Sequence, residues 1–321
     1  MLFKTKEQPE ISDEIVAYDP STLARVGVRK TEVERRFESF GNRRAVRIVR
    51  SIPERGGFLD PEAVDRLLVT VHCEMQSMSE EFQHGRRVLE LLTPLLDAFE
   101  AEGSNTSTGR RLRVVDLGCG TGYVVRWLAA RGNLGRRAEL IGADYNAALV
   151  AEARRLAARE GLECSFVVAN AFRLEEPADV ILSTGVVHHF RGRALAELFR
   201  QHEASHARAF VHFDFQPSPI APYGSWLFHR VRMRQPLARH DGVLSAVRAH
   251  SGDELLAAAR ACAPTFRASV YSKRLWGTPV PRAFHALVGA RGELWGGFVK
   301  ALGRRASRLE ERDGGAGGDA R

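Results

Sequence analysis

Cysteine is scarce in this chain. The four present (Cys73, Cys119, Cys164 and Cys262) are far apart and form no CxxC pair. That excludes a disulfide framework and a thiolate metal centre, and it points to a reducing, cytoplasmic compartment. Long apolar runs are missing too, since none approaches the ~18 residues of a membrane span. The opening MLFKTKEQPEIS lacks the apolar middle of a secretory signal. Lysine is nearly absent, with 5 lysines against 42 arginines and a net charge of +8. Arginine and alanine are abundant along the whole length, so the basicity reads as compositional bias more than as a dedicated polyanion surface. Hydrophobic residues at 44% and charged residues at 27% exclude collagen-like and wholly disordered classes. At 321 residues the chain holds about two domain equivalents.

Residues 1–20 show little periodicity and are predicted to be a loose arm. Asp60 then suits an N-cap and Pro61 a first helical position. Val64, Leu67, Leu68, Val71, Met75, Met78 and Phe82 recur at helical spacing. A second helix over Arg86–Phe99 leads into the polar stretch EGSNTSTG (102–109), read as a loop or linker. From there strands alternate with helices. Strand-like runs lie at Leu112–Leu117, Ala138–Ala143, Cys164–Val168, Asp179–Ser183 and Ala209–Phe215, with helical patterns between them. Such alternation implies an α/β fold with a doubly wound parallel sheet. After a helix with a capping box at Ser251 and Glu254, runs at Phe266–Lys273 and Arg282–Val288 are too close together for a parallel crossover. They are predicted to be an antiparallel edge pair, making seven strands. Residues Glu293–Arg312 are predicted to be a terminal helix and DGGAGGDAR a disordered tail. The expected domains are 1–108 (arm and helical region), 109–292 (core, with an insertion at 216–250) and 293–321.

The run Val114-Val115-Asp116-Leu117-Gly118-Cys119-Gly120-Thr121-Gly122 falls where a strand turns into a helix. Glycines there permit a sharp turn and close ligand approach. A dinucleotide site wants GxGxxG, but the third position is Tyr123. Asp116 stands two residues before the first glycine, within reach of a cationic ligand group. Asp144 ends the next strand, placed to accept ribose hydroxyls.

VVDLGCGTG resembles the first motif of the class I S-adenosylmethionine-dependent methyltransferases. IGADYNAALVAEAR is similar to their second motif and ADVILSTGVVHHF to their fourth-strand segment. The resemblance covers roughly residues 109–290 and implies S-adenosylmethionine as cofactor. It implies that Asp116 helps hold the methionyl ammonium, that Gly118, Gly120 and Gly122 line the cofactor with Cys119 and Thr121 among them, and that Asp144 grips the ribose. Tyr145 would lie beside the adenine, with Ala171 and Thr184 also at the cofactor. The acid usual after the third strand is replaced here by Asn170, whose amide oxygen can accept the same hydrogen bond.

A competing pattern is His202-Glu203-Ala204-Ser205-His206, which satisfies HExxH and has His212 at a third zinc-ligand spacing. Ala209 stands where a metzincin needs glycine, and AFVHFDF alternates like a strand, so no metal is expected. Base candidates are His188 and His189, which follow the fourth strand, and the His240–Asp241 pair in the RHDG segment. The 216–250 insertion combines aromatics with arginines and reads as a substrate lid or as a solvated cap. As a lid it would bring Arg239 and Trp226 to the substrate, with Asp214 beside them at the end of the fifth strand. The expected activity is methyl transfer to a small-molecule acceptor, O-methylation slightly favoured. The alternatives are a nucleic-acid methyltransferase using the arginine-rich insertion and, less favoured, a zinc metallohydrolase through the HEASH stretch.

Overall fold

The computed structural model describes residues 7–103, 110–272 and 283–310. It opens with a short helix, α1 (Ile11–Glu14), and a two-residue ladder of β1 (Ala17–Tyr18) with β2 (Arg25–Val26). Helices α2 (Lys30–Ser39) and α3 (Arg43–Ser51) and a second ladder, β3 (Glu54–Arg55) with β4 (Phe58–Leu59), precede the long helices α4 (Pro61–Glu81) and α5 (His84–Ala101). Asp60 caps α4 as its sequence suggests, its carboxylate accepting from the N–H groups of Glu62 and Ala63. The predicted stripe is the buried face: Val64, Leu68, Val71 and Met78 are all covered.

The α/β core follows: β5 (Leu112–Leu117), α6 (Tyr123–Arg131), β6 (Ala138–Asp144), α7 (Ala147–Glu160), β7 (Ser165–Val168), β8 (Val180–Thr184), α8 (Arg193–Ala204) and β9 (Ala209–Phe215). The 216–250 insertion folds as α9 (Ala221–Arg232) and α10 (Pro236–Arg248). Then come α11 (Gly252–Cys262), β10 (Phe266–Tyr271), β11 (Phe284–Arg291), α12 (Leu294–Leu302) and β12 (Leu309–Glu310). The sheet order is β12-β10-β11-β9-β8-β5-β6-β7. The strands from β7 to β9 run parallel, while β11 lies antiparallel to both β9 and β10. Successive sheet residues feed opposite faces. Val114, Leu140 and Val211 join the core under the N-terminal helices, α7 and α12, whereas Val115, Ile141 and Phe210 join the core under α8 and α11.

Three expectations are corrected. Residues 7–18 are no loose arm: Ile11 and Ile15, one helical turn apart, are fully buried. The terminal helix ends at Leu302 because Gly303 turns to φ +56°, and the chain continues through a 3-10 stretch into β12. The sheet therefore has eight strands, and β12 covers the edge of β10 that would otherwise present unpaired backbone groups. The predicted tail and residues 104–109 of the polar loop lie outside the described residues.

Candidate active site

Strands β5, β6 and β8 end on the same side of the sheet, and a cavity of about 490 Å³ opens there, outside their carboxyl ends. Its floor is the glycine turn and Asp144. Its roof comes from α1, α4 and the insertion helix α10.

The turn is built so that only glycine fits. Gly118, Gly120 and Gly122 all have positive φ, and a Cβ on Gly120 would stand 2.4 Å from Nδ1 of His72 on α4. Asp144 organises the turn, accepting from the N–H of Gly120 and of Asn146 at 2.9 Å each. Each oxygen keeps a further lone pair for a ligand hydroxyl. Asp116 is buried, and its Oδ1 has no hydrogen-bond partner. Burial, with Asp144 nearby, pushes its carboxyl up to about 7. Thr184 Oγ1 is likewise buried, unpartnered and at the cavity wall. Gly118, Asp144, Tyr145, Asn170, Ala171 and Thr184 line the cavity, whereas Cys119, Gly120, Thr121 and Gly122 shape the turn behind it. The Asn170 oxygen already accepts from the N–H of Phe172 at 2.9 Å, and its amide nitrogen donates to the Pro20 carbonyl.

At the other end of the cavity stand two histidines on a 3-10 turn (Val187–His189). His188 Nδ1 lies 2.7 Å from Asp214 Oδ1, and the His188 N–H donates to Asp214 Oδ2. Burial works against the Asp214 charge, but His188 and two backbone donors hold its carboxyl well below the usual range. An ionised carboxylate only accepts, so the Nδ1 proton is on the imidazole. Burial also keeps His188 neutral by lowering its pKa, which leaves Nε2 as a lone-pair acceptor, buried and unpartnered. His189 Nδ1 pairs with Asp13 at 2.7 Å. Burial opposes its charge, yet Glu10 and Asp13 lift it to about 9. Glu10, raised to about 8 chiefly by burial, reaches both imidazoles at 3.6 and 3.9 Å.

Glu10, His188 and His189 are also the one group among the described residues whose donor atoms could surround a metal ion. Arg248 already supplies positive charge there, with Nη1 2.6 Å from Asp13 and 3.9 Å from Glu10. Glu10 and Asp13 are not among the residues singled out from sequence, because a four-residue helix carries almost no periodic signal; Arg248, on α10, is one arginine of the insertion with nothing in sequence to distinguish it. The trace available was the Ile11/Ile15 pair flanked by Glu10 and Asp13.

Other candidates lie elsewhere. Asp241 lines the cavity, but its carboxylate is occupied by the N–H groups of Ile11 and Ser12 and by His240 Nδ1. His240 points its Nε2 at Asn42, 2.7 Å away. Arg239 donates to the Met233 carbonyl, and Trp226 is exposed on the outer side of α9; neither lines the cavity. Asp214 sits behind His188, not at the cavity wall. The HEASH histidines do not converge. His202 Nε2 and His212 Nε2 bond each other at 2.8 Å in the core, while His206 is exposed beyond the end of α8.

Residues 114–205 match a family model described as a methyltransferase domain. That segment, under a third of the chain, is similar to methyltransferase domains. A demethylmenaquinone methyltransferase from Thermus thermophilus is 32% identical over 138 residues, which are 41% of this chain and 60% of that protein. Among solved structures, a magnesium protoporphyrin IX methyltransferase from Synechocystis PCC 6803 with bound SAH aligns over 82% of this chain and all of that one, at 18% identity and a TM-score of 0.44. A SAM-dependent methyltransferase from Aquifex aeolicus covers 61% of this chain and 92% of its own, at 14% identity and a TM-score of 0.41. The cofactor implied by a methyltransferase domain of this class fits the residues present. The glycine turn leaves no room for a Cβ, Asp144 can take hydroxyls, and Asp116, though not on the cavity wall, has an unmet oxygen suited to an ammonium.

Proposed function

We propose that the chain transfers a methyl group from S-adenosylmethionine to a small, largely apolar acceptor whose reacting O–H loses its proton to His188. The observation that carries this is the buried Nε2 of a neutral His188, without a hydrogen-bond partner although Glu10 stands 3.6 Å away, its ring held by Asp214 in the cavity whose floor is the glycine turn. Once bound there, S-adenosylmethionine supplies an electrophilic methyl on a sulfonium. The chain's own part is to orient the acceptor, keep water out and receive a proton. Val71, Met75, Met78, Phe215 and Phe284 supply apolar wall for a hydrophobic body. His188 Nε2 accepts the proton, and the Asp214 carboxylate fixes the tautomer and stabilises the imidazolium that forms. His189, cationic at neutral pH, is clasped by Glu10 and Asp13 and keeps the roof of the cavity in place.

The arginines of the insertion take no part in the cavity. Arg230, Arg232 and Arg234 are exposed, none lines the cavity, and Arg232 is paired with Glu81. The Thermus relative's name specifies demethylmenaquinone as its acceptor, a quinone-type body in keeping with an apolar cavity. The test is an extract of hydrophobic metabolites incubated with methyl-labelled S-adenosylmethionine and read by mass spectrometry, followed by kinetics of His188→Gln and Asp214→Asn. Turnover is expected to fall about 10²–10⁴-fold, with calorimetric cofactor affinity within threefold of wild type. Full turnover by His188→Gln would remove it as the proton acceptor.

A further inference from the structure

Among the described residues, eight large hydrophobic side chains are exposed, and five of them fall within twelve positions of one another. They are Ile220 (62% exposed), Tyr223 (61%), Trp226 (44%), Leu227 (57%) and Val231 (70%). Spacings of three and four residues set them along one side of α9. The opposite side of the same helix is committed inward. His229 is buried and lines the cavity, Ser225 Oγ donates to the Gly242 carbonyl, and Phe228 packs on Phe82. The helix that helps close the cavity thus presents an apolar stripe to solvent, which a soluble surface rarely does without a purpose.

The charge carried by α9 and α3 has one sign, although Glu81 of α4 pairs with Arg232. Neither α9 nor α3 contains an acid. Arg43, Arg44 and Arg47 are exposed on α3, and Arg230 on α9. The two sets share one support, since α10 packs against both α9 and α3. Arg43, Arg47 and Arg50 also line a shallow depression with Gly41 and Val46, Glu38 being its single acid. Arg50 is engaged by Glu34 and Glu38.

We propose that the outer stripe of α9 and the arginine side of α3 seat this protein on an anionic membrane surface. An interfacial helix needs apolar area to sink into the acyl boundary, aromatic rings at headgroup level and cations beside them. All three are present here. A second copy of this chain is a poorer occupant, because a two-fold interface would bring the arginines against themselves. If the methyl-transfer reading holds, a hydrophobic acceptor dissolved in the bilayer would meet the enzyme at the helix that borders its cavity. The docking itself does not depend on that reading.

The test is flotation of the full chain with vesicles of phosphatidylglycerol and phosphatidylcholine in equal parts, against phosphatidylcholine alone, at low and high salt. The expected result is flotation with the anionic vesicles, weakened by salt. Leu227→Glu with Val231→Glu is expected to abolish it, and Arg43→Glu with Arg47→Glu to weaken binding at least tenfold, at about fivefold per charge removed. All four side chains are exposed, so circular dichroism and cofactor affinity should match wild type. Absence of flotation with either vesicle overturns the proposal. So does a dimer seen by light scattering that Leu227→Glu with Val231→Glu converts to monomer, since the face would then belong to a second copy.

Discussion

Gly120 and Gly161 both sit at positive φ, +55° and +65°, but in different surroundings. A Cβ on Gly161, at the end of α7, would meet nothing within 4 Å, whereas one on Gly120 would strike His72. Alanine at either position pays the left-handed penalty of about 1–2 kcal/mol. Only Gly120→Ala also forces α4 away from the turn, so only it is expected to weaken S-adenosylmethionine binding, by tenfold or more in a calorimetric titration. Asp116 gives a second expectation at this scale. Its buried carboxyl, raised to about 7, loses its charge as pH falls through that value. A neutral acid cannot pair with an ammonium. Cofactor affinity in the wild type should therefore drop as pH goes from 8 to 6, and Asp116→Asn should show a weaker affinity that does not vary over that range. A flat wild-type profile would separate Asp116 from the ligand.

At the scale of elements, α1 shows how a segment with little local propensity is made part of a site. Four residues cannot hold a helix alone. This one is held because Asp241 on α10 accepts the N–H groups of Ile11 and Ser12, Ser245 bonds Glu10, and Arg248 pairs with Asp13. Asp241→Ala leaves two backbone donors without their acceptor, at about 1–3 kcal/mol each where they are buried. The expected outcome is faster proteolytic cleavage before Tyr18 and a raised acceptor KM, with cofactor affinity kept. Undisturbed protease resistance would show that α1 has other anchors. The same element marks what the chain's pattern reveals. The alternating core was legible because strands and helices of that length repeat their hydrophobic period several times, and the glycine turn because positive φ demands one residue type. Glu10 and Asp13 were hidden because their positions depend on partners some 230 residues away on α10. The insertion is less legible for a related reason. Arg239 and Trp226 are chemically suggestive, but helical phase turns one to a backbone carbonyl and the other to solvent, while Leu237, Ala238 and Asp241 face the cavity.

Across the whole molecule, burial of histidine sets the response to pH. Of eleven histidines, His72, His84, His188, His202, His212, His229 and His250 all have their pKa lowered, in each case first by burial. A base whose folded pKa lies below its unfolded value binds its proton more readily in the unfolded chain, so stability falls as pH drops below about 6.5. Each such residue steepens that fall by up to about 1.4 kcal/mol per pH unit. His189 works in the opposite sense. Lifted to about 9, it contributes stability that is complete below 6.5 and is lost as pH rises through 9. Asp13 and Asp214, both held low, contribute above the ordinary carboxylate range and are lost only in stronger acid. Glu10 and Asp116, raised to about 8 and about 7, likewise contribute stability that is lost as pH rises through those values. Urea denaturation from pH 4.5 to 9.5 is therefore expected to show greatest stability near pH 6.5, falling on the alkaline side as the contribution of His189 is lost, with an acid limb that begins near the histidine pKa and not near 4. His84 isolates the cause. Both its ring nitrogens are buried without a partner, and its ring packs against Phe82 and Phe284. His84→Phe keeps the aromatic packing and removes one protonation site, so its acid limb should be shallower than wild type by up to about 1.4 kcal/mol per pH unit. An unchanged limb in a folded His84→Phe variant would mean that burial of neutral imidazole is not what makes this protein acid-labile.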